Sequence, residues 1–195
     1  MTHEELVNRA VWWLSESQGC QIVLAEQGGG LTGELADAIG WHNHESILVE
    51  CKVSISDLRA DFKKPWRVYP DLGIGSFRWY MVPKELEDDA RRVLREPFKS
   101  GESSFQYEYR WGLLVCHPSQ IRISEKPDEW HSKWEARIGR LSALGKEYET
   151  AMLLSMLSRI AAKIGTITMA EWLRKNPAEM LADLGVQIKR EEVSQ

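Results

Sequence analysis

Features that mark several common protein classes are missing from the sequence. It has no apolar run of about 18 residues, so no transmembrane helix and no membrane contact are expected. Its first ten residues, MTHEELVNRA, are acidic and polar, unlike a secretory signal. The cysteines, Cys20, Cys51 and Cys116, show no CxxC spacing, which favours free thiols. Together these absences predict a cytoplasmic protein.

An excess of basic residues is also missing. Lys and Arg number 25 against 29 Asp and Glu, which gives a formal net charge of −4. This balance argues against nucleic-acid binding by bulk electrostatics, but it permits a local basic patch beside an acidic site. The glycine-rich stretch 27–30 is not followed by GKS or GKT, so it is not a P-loop.

The pattern of apolar residues predicts a mixed α/β region up to residue 125. Ser54 or Ser56 is the expected cap of the second helix. The expected elements, in chain order, are a helix at 3–17, strands at 21–25, 34–41 and 46–53, a helix at 56–64, a loop at 66–76, a strand at 77–82, a helix at 84–95 and a strand at 111–116.

After residue 125 the pattern is helical. Apolar spacing predicts helices at 130–144, at 152–164 with Gly165 as the stop, and at 169–175 and 177–184. We therefore expect an α/β core at 1–125 and a helical extension at 126–195. We interpret the extension as a cap or an oligomerisation element, through which the chain forms a homodimer or binds a protein partner.

Three charged residues lie inside the predicted strands: Asp37, Glu50 and Lys52. Charged groups are costly to bury unless they are paired or bind a metal. Alternate residues of a strand share a face, so Glu50 and Lys52 point the same way. If residues 42–45 form a hairpin loop, Asp37 lies directly opposite Glu50 on the neighbouring strand.

Two carboxylates at that distance repel each other unless a cation lies between them. A hard divalent ion such as Mg2+ suits their oxygens. Lys52, further along the same face, is then placed to orient or deprotonate an attacking water or to stabilise charge on a phosphate. The set suits metal-assisted hydrolysis of a phosphodiester. A solvated sheet face with a salt bridge is the simpler alternative.

The order of these motifs resembles the PD-(D/E)xK nuclease superfamily, which is restriction-endonuclease-like in fold. Asp37 stands in ELADAIG, and Glu50 and Lys52 stand in ILVECK. The continuation VSISDLRADFKKPWR, followed by FRWYMVP, is similar to the MmcB-like DNA-repair branch and related phage proteins. The resemblance spans roughly residues 3–117 and is specific for 33–83.

The resemblance implies an αβββαβ core with a mixed central sheet flanked by helices, and a metal-dependent DNA nuclease of DNA repair, DNA processing or phage–host defence. It implies Asp37, Glu50 and the backbone carbonyl of Cys51 as ligands of Mg2+ (or Mn2+), with Lys52 as the catalytic lysine. Many members add a carboxylate from the first helix, and Glu5 is the candidate here. Ala36 stands where many members have proline, a common departure.

Basic residues follow the Glu-x-Lys strand. The resemblance implies that Lys63, Lys64 and Arg67 contact the phosphate backbone of DNA. Asp57 and Asp61, spaced i, i+4 on the same helix, are interpreted as part of a charged solvent face.

Two further interpretations stay open. The chain is a nuclease-fold module that binds nucleic acid or a protein partner without cutting, or an inhibitor or assembly protein that acts through a Trp-rich helical surface. Glu34 is expected to face away from Asp37, because three residues separate them along a strand. The sequence does not specify the strandedness of the DNA or the position of cutting.

Overall fold

A computed structural model of the 195-residue chain describes residues 1–28, 34–43, 45–68, 72–95, 111–126 and 143–165. The chain divides into two compact units, Met1–Met152 and Leu153–Gln195. In these described ranges, no helix is long and apolar enough to cross a membrane.

Six strands form one open, mixed sheet. They are β1 Ile22–Gly28, β2 Leu35–His42, β3 Glu45–Cys51, β4 Phe77–Pro83, β5 Gly112–Cys116 and β6 Ile121–Glu125. The strands lie side by side in chain order. The pairs β3/β4 and β4/β5 are parallel, whereas β1/β2, β2/β3 and β5/β6 are antiparallel. The predicted α/β class with a mixed sheet is therefore confirmed.

Helices of the first unit flank this sheet, and the last helix includes residues of both units. They are α1 His3–Trp12, which continues as a π-helical turn at Trp13–Ser17, α2 Ile55–Asp61, α3 Pro65–Val68, α4 Glu87–Arg95 after a 3-10 turn at Lys84–Leu86, and α5 Ala143–Ile164. The helix expected at 3–17 is confirmed, and so is the helix that stops before Gly165, although it begins earlier, at Ala143.

One expected loop is wrong in part, one strand is missing from the prediction, and several predicted elements lie outside the described residues. The loop expected at 66–76 begins with the short helix α3, because Pro65 has a backbone conformation suited to a first helical turn. Strand β6 was not predicted. The helices expected at 169–175 and 177–184, and most of the one at 130–144, fall among residues that the structure does not describe.

Apolar side chains fix which helices cover which face of the sheet. Leu6 and Ala10, one helical turn apart on α1, are fully buried against residues of β2 and β3 such as Ala38 and Val49. On the other face, Leu58 of α2 packs with Tyr80 of β4 and with residues of α4. Burying these apolar faces is the main favourable contribution to the fold.

The β2–β3 hairpin has the predicted register. Ala38 pairs with Val49, and the pairing continues to His42 with Glu45. The expected four-residue loop is therefore wrong, because only positions 43 and 44 connect the strands. Asn43 adopts a positive φ of 56°, a conformation that Asn tolerates better than most residues and that two-residue hairpin turns require.

Because β2 and β3 are antiparallel, the start of β2 and the end of β3 lie at the same end of the sheet. Lys52 follows β3 directly, and its backbone N–H donates to the Met81 carbonyl of β4 at 2.9 Å. The last residue of α2, Asp61, is buried. The charged residues of the predicted strands therefore lie close together at this end of the sheet.

Candidate functional site

The Lys52 ammonium lies among three carboxylates. Its Nζ atom is 2.8 Å from Glu50 Oε2, 3.4 Å from Asp61 Oδ1 and 3.8 Å from Asp37 Oδ2. Glu50, Lys52 and Asp61 are buried, whereas 18% of the Asp37 side chain is exposed. The structure therefore brings together the three residues singled out from the sequence and adds a fourth, Asp61.

Backbone contacts fix the Asp37 carboxylate next to β3. Its Oδ2 atom accepts a hydrogen bond from the Cys51 N–H at 2.7 Å. Its Oδ1 atom lies 3.5 Å from Nε2 of His3, in the first turn of α1. Asp37 therefore contacts the backbone of β3 through one carboxylate oxygen and lies beside His3 of α1 through the other.

The hydrogen bonds of Glu5 lie at the start of α1, where it contacts Thr2. Its Oε2 atom accepts a hydrogen bond from the Thr2 N–H at 2.7 Å, and its own N–H donates to Thr2 Oγ1 at 3.2 Å. This reciprocal pair is a capping box, which satisfies free N–H groups at the start of a helix. Glu5 is therefore placed as a cap of α1 rather than as a site carboxylate.

The pKa values of Glu50 and Lys52 are both raised, but for different reasons. Burial raises the pKa of Glu50 to about 7, although Arg67 and Lys52 act in the opposite direction. Burial favours the neutral amine of Lys52, but the carboxylates of Glu50 and Asp61 outweigh it and raise the Lys52 pKa above its ordinary value. Lys52 is therefore an ammonium ion at neutral pH.

Arg67 connects the carboxylates from the other side. Its Nε atom donates to Asp61 Oδ2 at 2.7 Å, one terminal nitrogen lies 2.6 Å from Glu34 Oε1, and the other lies 3.3 Å from Glu50 Oε1. Its guanidinium also lies over the Trp111 ring, 4.2 Å from the centroid. Only 3% of the side chain is exposed.

Arg67 is consequently a structural residue rather than the phosphate contact that was expected. A guanidinium with three carboxylate partners and almost no exposed surface is not presented to DNA. Lys63, in contrast, is exposed. Lys64 is intermediate: 38% of its side chain is exposed, and its Nζ lies 2.5 Å from Asp61 Oδ1 and 3.9 Å from Glu50 Oε2.

One acidic residue, Asp61, lies elsewhere than predicted, whereas Glu34 is a structural residue as expected. Asp61 is 1% exposed, not on a solvent face, and its Oδ2 also accepts a hydrogen bond from Tyr80 Oη at 2.8 Å. Its spacing of three residues from the apolar Leu58 was the available signal, because such residues share a helix face. Glu34 is fully buried and accepts from the Ile74 N–H at 3.1 Å. Strand alternation does not apply to it, since β2 begins at Leu35.

We refer to these residues as the buried charge cluster. Its members are Glu34, Asp37, Glu50, Lys52, Asp61, Lys64 and Arg67.

The donor chemistry fits the metal that the resemblance implies. Asp37, Glu50 and the Cys51 carbonyl offer oxygen ligands, which Mg2+ and Mn2+ prefer. The Oε1 atom of Glu50 is buried and receives no hydrogen bond, although an Arg67 nitrogen lies 3.3 Å away. Among the described residues, no three Asp, Glu, His or Cys side chains are grouped as a metal cage. The Cys51 carbonyl and water would therefore complete the coordination.

Comparisons with known proteins extend to the fold alone. No family model and no curated protein matches the chain. The chain is similar to a solved structure described as a protein of unknown function from Silicibacter pomeroyi, with a TM-score of 0.53 and 18% sequence identity. The match covers 85% of this chain and 94% of that one. At this identity, the likeness supports a shared α/β architecture.

Proposed function

We propose that the protein is a metal-dependent DNA nuclease with a restriction-endonuclease-like core. The observation that carries the proposal is the meeting of Asp37, Glu50 and Lys52 at adjoining strand ends on one face of the sheet. The topology supports the same proposal. In the β2–β3 hairpin, β3 ends in the Glu-x-Lys motif beside the aspartate of β2, and β3 pairs with the parallel strand β4. DNA repair, DNA processing or phage–host defence is the setting that the sequence resemblance implies.

Asp37, Glu50 and the Cys51 carbonyl are the groups that would hold Mg2+ or Mn2+. When bound, such an ion acts as a Lewis acid and lowers the pKa of a coordinated water. Glu50 must release its proton to become a ligand, which links metal binding to pH.

Lys52 has the role of a fixed cation in this proposal. Its raised pKa makes it a poor proton acceptor, so it stabilises negative charge on the phosphate instead of deprotonating water. Asp61 Oδ1 lies 3.4 Å from this ammonium. Tyr80 and Arg67 both donate hydrogen bonds to Asp61 Oδ2. The exposed Lys63 is the side chain best placed to contact a neighbouring phosphate.

The test is cleavage of single-stranded, double-stranded and branched DNA with Mg2+ or Mn2+. We expect cleavage that stops when the metal is chelated. Asp37→Asn should reduce the rate on the order of a hundredfold or more, because a ligand is lost while side-chain size is kept. Asp57→Asn is the matched control: the same substitution at an exposed aspartate of α2 should leave the rate unchanged. If none of these DNAs is cut under any metal condition, the nuclease proposal is wrong.

A second function is favoured by one specific observation. The carboxylates of the buried charge cluster already have cationic partners within the chain, as a site without a metal requires. This favours a nuclease-fold module that binds nucleic acid or a protein partner without cutting. Calorimetric titration with Mn2+ separates the two: a binding module gives no heat that depends on Asp37, whereas a nuclease does.

A further inference from the structure

Solvent reaches the buried charge cluster beside three side chains. His3 is 40% exposed, Lys64 38% and Asp37 18%, whereas Glu50 and Asp61 are each 1% exposed. Among His3 and the members of the cluster, these three side chains have the largest exposed fractions. Of the three, Lys64 contacts two of the buried carboxylates, those of Glu50 and Asp61.

The backbone of Lys64 is fixed while its side chain is long. Its N–H donates to the Asp61 carbonyl at 3.0 Å, and its carbonyl accepts from the Arg67 N–H at 2.9 Å. Its ammonium lies 2.5 Å from Asp61 Oδ1. A lysine side chain changes rotamer without moving its backbone, so this ammonium can leave the cluster while α2 and α3 stay in place.

The balance of charge decides what happens when a divalent ion arrives. With all groups ionised, the cluster holds four carboxylates and three cationic side chains, so its net charge is −1. A divalent ion would make it +1 if Lys64 stayed and neutral if Lys64 left. Lys52 and Arg67 are not free to leave, because they are 6% and 3% exposed. Buried net charge is costly, so the neutral arrangement is favoured.

We propose that Lys64 is an exchangeable cation, which neutralises Glu50 and Asp61 in the metal-free protein and moves into solvent when a divalent ion binds. The released ammonium then lies beside Lys63 and contacts a phosphate of the DNA. This rests on the proposed function and adds a coupling to it: the metal releases a phosphate contact, and the phosphate keeps the competing ammonium away from the metal. Such coupling is reciprocal by thermodynamic necessity.

The test compares Mn2+ affinity by calorimetry in the wild type, Lys64→Met, Lys63→Met and Asp37→Asn. Lys64→Met should bind Mn2+ about tenfold more tightly, because no internal ion pair has to be broken; tenfold lies within the usual range of coupling between two ligands. Lys63→Met, at the adjacent exposed position, should bind like the wild type. Lys64→Gln should match Lys64→Met and replaces it if the apolar side chain prevents folding.

The outcomes separate this inference from the proposed function. Mn2+ binding that depends on Asp37 but is equally tight or weaker in the Lys64 variants overturns the exchange and leaves the nuclease proposal standing. If no variant binds Mn2+, including the Lys64 variants with the most open cluster, the metal site itself is wrong and both proposals fall.

The phosphate contact has a separate readout. Fluorescence anisotropy with a cleavage-resistant phosphorothioate DNA measures how much Mn2+ raises DNA affinity. Lys64→Met should abolish this gain, whereas Lys63→Met should lower DNA affinity equally with and without Mn2+. If Lys64→Met keeps the full gain, or if the wild type shows no gain, Lys64 does not contact the phosphate.

Discussion

Two groups of charged side chains in this molecule use similar contacts in opposite surroundings. In the buried charge cluster, Arg67 contacts Glu34, Glu50 and Asp61 and is 3% exposed. On the surface, Glu87 of α4 receives hydrogen bonds from Arg122 and other side chains. The number of contacts is comparable, but the arginine of the first group is 3% exposed and that of the second, Arg122, is 47% exposed.

We refer to the second group as the surface charge cluster, which consists of Glu87, Arg91, Arg122 and Ser124. One Arg122 nitrogen lies 2.5 and 2.6 Å from the two Glu87 oxygens, and the Ser124 hydroxyl donates to Glu87 at 2.7 Å. Nearly half of the Arg122 side chain, 47%, is exposed. The cluster joins α4 to the edge strand β6.

The comparison shows that burial, not the number of ion pairs, sets the cost of losing a partner. At the surface, water replaces a lost partner, so such pairs contribute roughly 0–1 kcal/mol to the free energy of unfolding. Inside, removal of one charge leaves the others without compensation, at a cost of about 3–5 kcal/mol. Loss of one partner from the buried cluster is therefore expected to destabilise the fold more than the same loss at the surface.

The largest expected effect comes from removing the central guanidinium of each cluster. Arg67→Met should lower the free energy of unfolding by about 3–5 kcal/mol, because three carboxylates lose their shared partner. Arg122→Met, the matched surface change, should lower it by less than about 1 kcal/mol. Urea denaturation of both variants measures the difference. Equal losses would remove the distinction between the clusters.

A smaller effect is expected for Asp61→Asn, and it should depend on pH. The pKa of Asp61 is lowered: burial opposes the shift, but Arg67, Lys52 and Lys64 outweigh it. A lowered pKa adds stability above the unfolded value, near 3.8, and this stability is lost as pH falls further. We therefore expect a loss of about 2 kcal/mol at pH 7, smaller than for Arg67→Met because the amide oxygen of Asn still accepts hydrogen bonds, and this loss should become smaller below pH 4.

Asp57→Asn provides the control on the same helix. Asp57 is exposed, so its substitution should change the free energy of unfolding by less than about 0.5 kcal/mol at either pH. Denaturation curves of both variants at several pH values give the comparison. A loss for Asp61→Asn that stays constant with pH would mean that folding does not lower the pKa of this carboxylate.

The smallest expected effect comes from removing one hydroxyl group from each cluster. Tyr80→Phe removes the donor to Asp61, and Ser124→Ala removes the donor to Glu87. We expect a loss of about 1 kcal/mol for the buried hydroxyl and near zero for the surface one, since water reaches only the second carboxylate. Thermal unfolding followed by circular dichroism suits both. A larger loss for Ser124→Ala would reverse the ranking of the clusters.

The sequence was sufficient for the part of the site that lies on the hairpin. Strand periodicity and turn length depend on neighbouring residues, so the register that brings Asp37 towards Glu50 could be worked out locally. The turn was shorter than expected by two residues, yet the register was unchanged, because His42 and Glu45 extend the strands symmetrically.

The remaining part of the cluster depends on contacts between distant segments. Arg67 meets Glu34 across 33 residues, and no local pattern in either segment specifies that contact. Strand β6 was missed for another reason: the sequence IRISE is half polar, since this edge strand is buried only in part. The pattern of apolar residues predicts a strand through its buried face, so a strand that is only partly buried gives a weak pattern.

Glu149 of α5 joins parts of the chain that are far apart in sequence. Its buried carboxylate accepts hydrogen bonds from Trp41 Nε1 at 3.0 Å, Ser46 Oγ at 2.7 Å and the Gly75 N–H at 2.8 Å. The contact with Ser46 spans 103 residues, so closing that loop costs far more chain entropy than forming the hairpin. One carboxylate therefore joins α5 to β2, to β3 and to the segment before β4, and its loss would leave three donors without their shared acceptor.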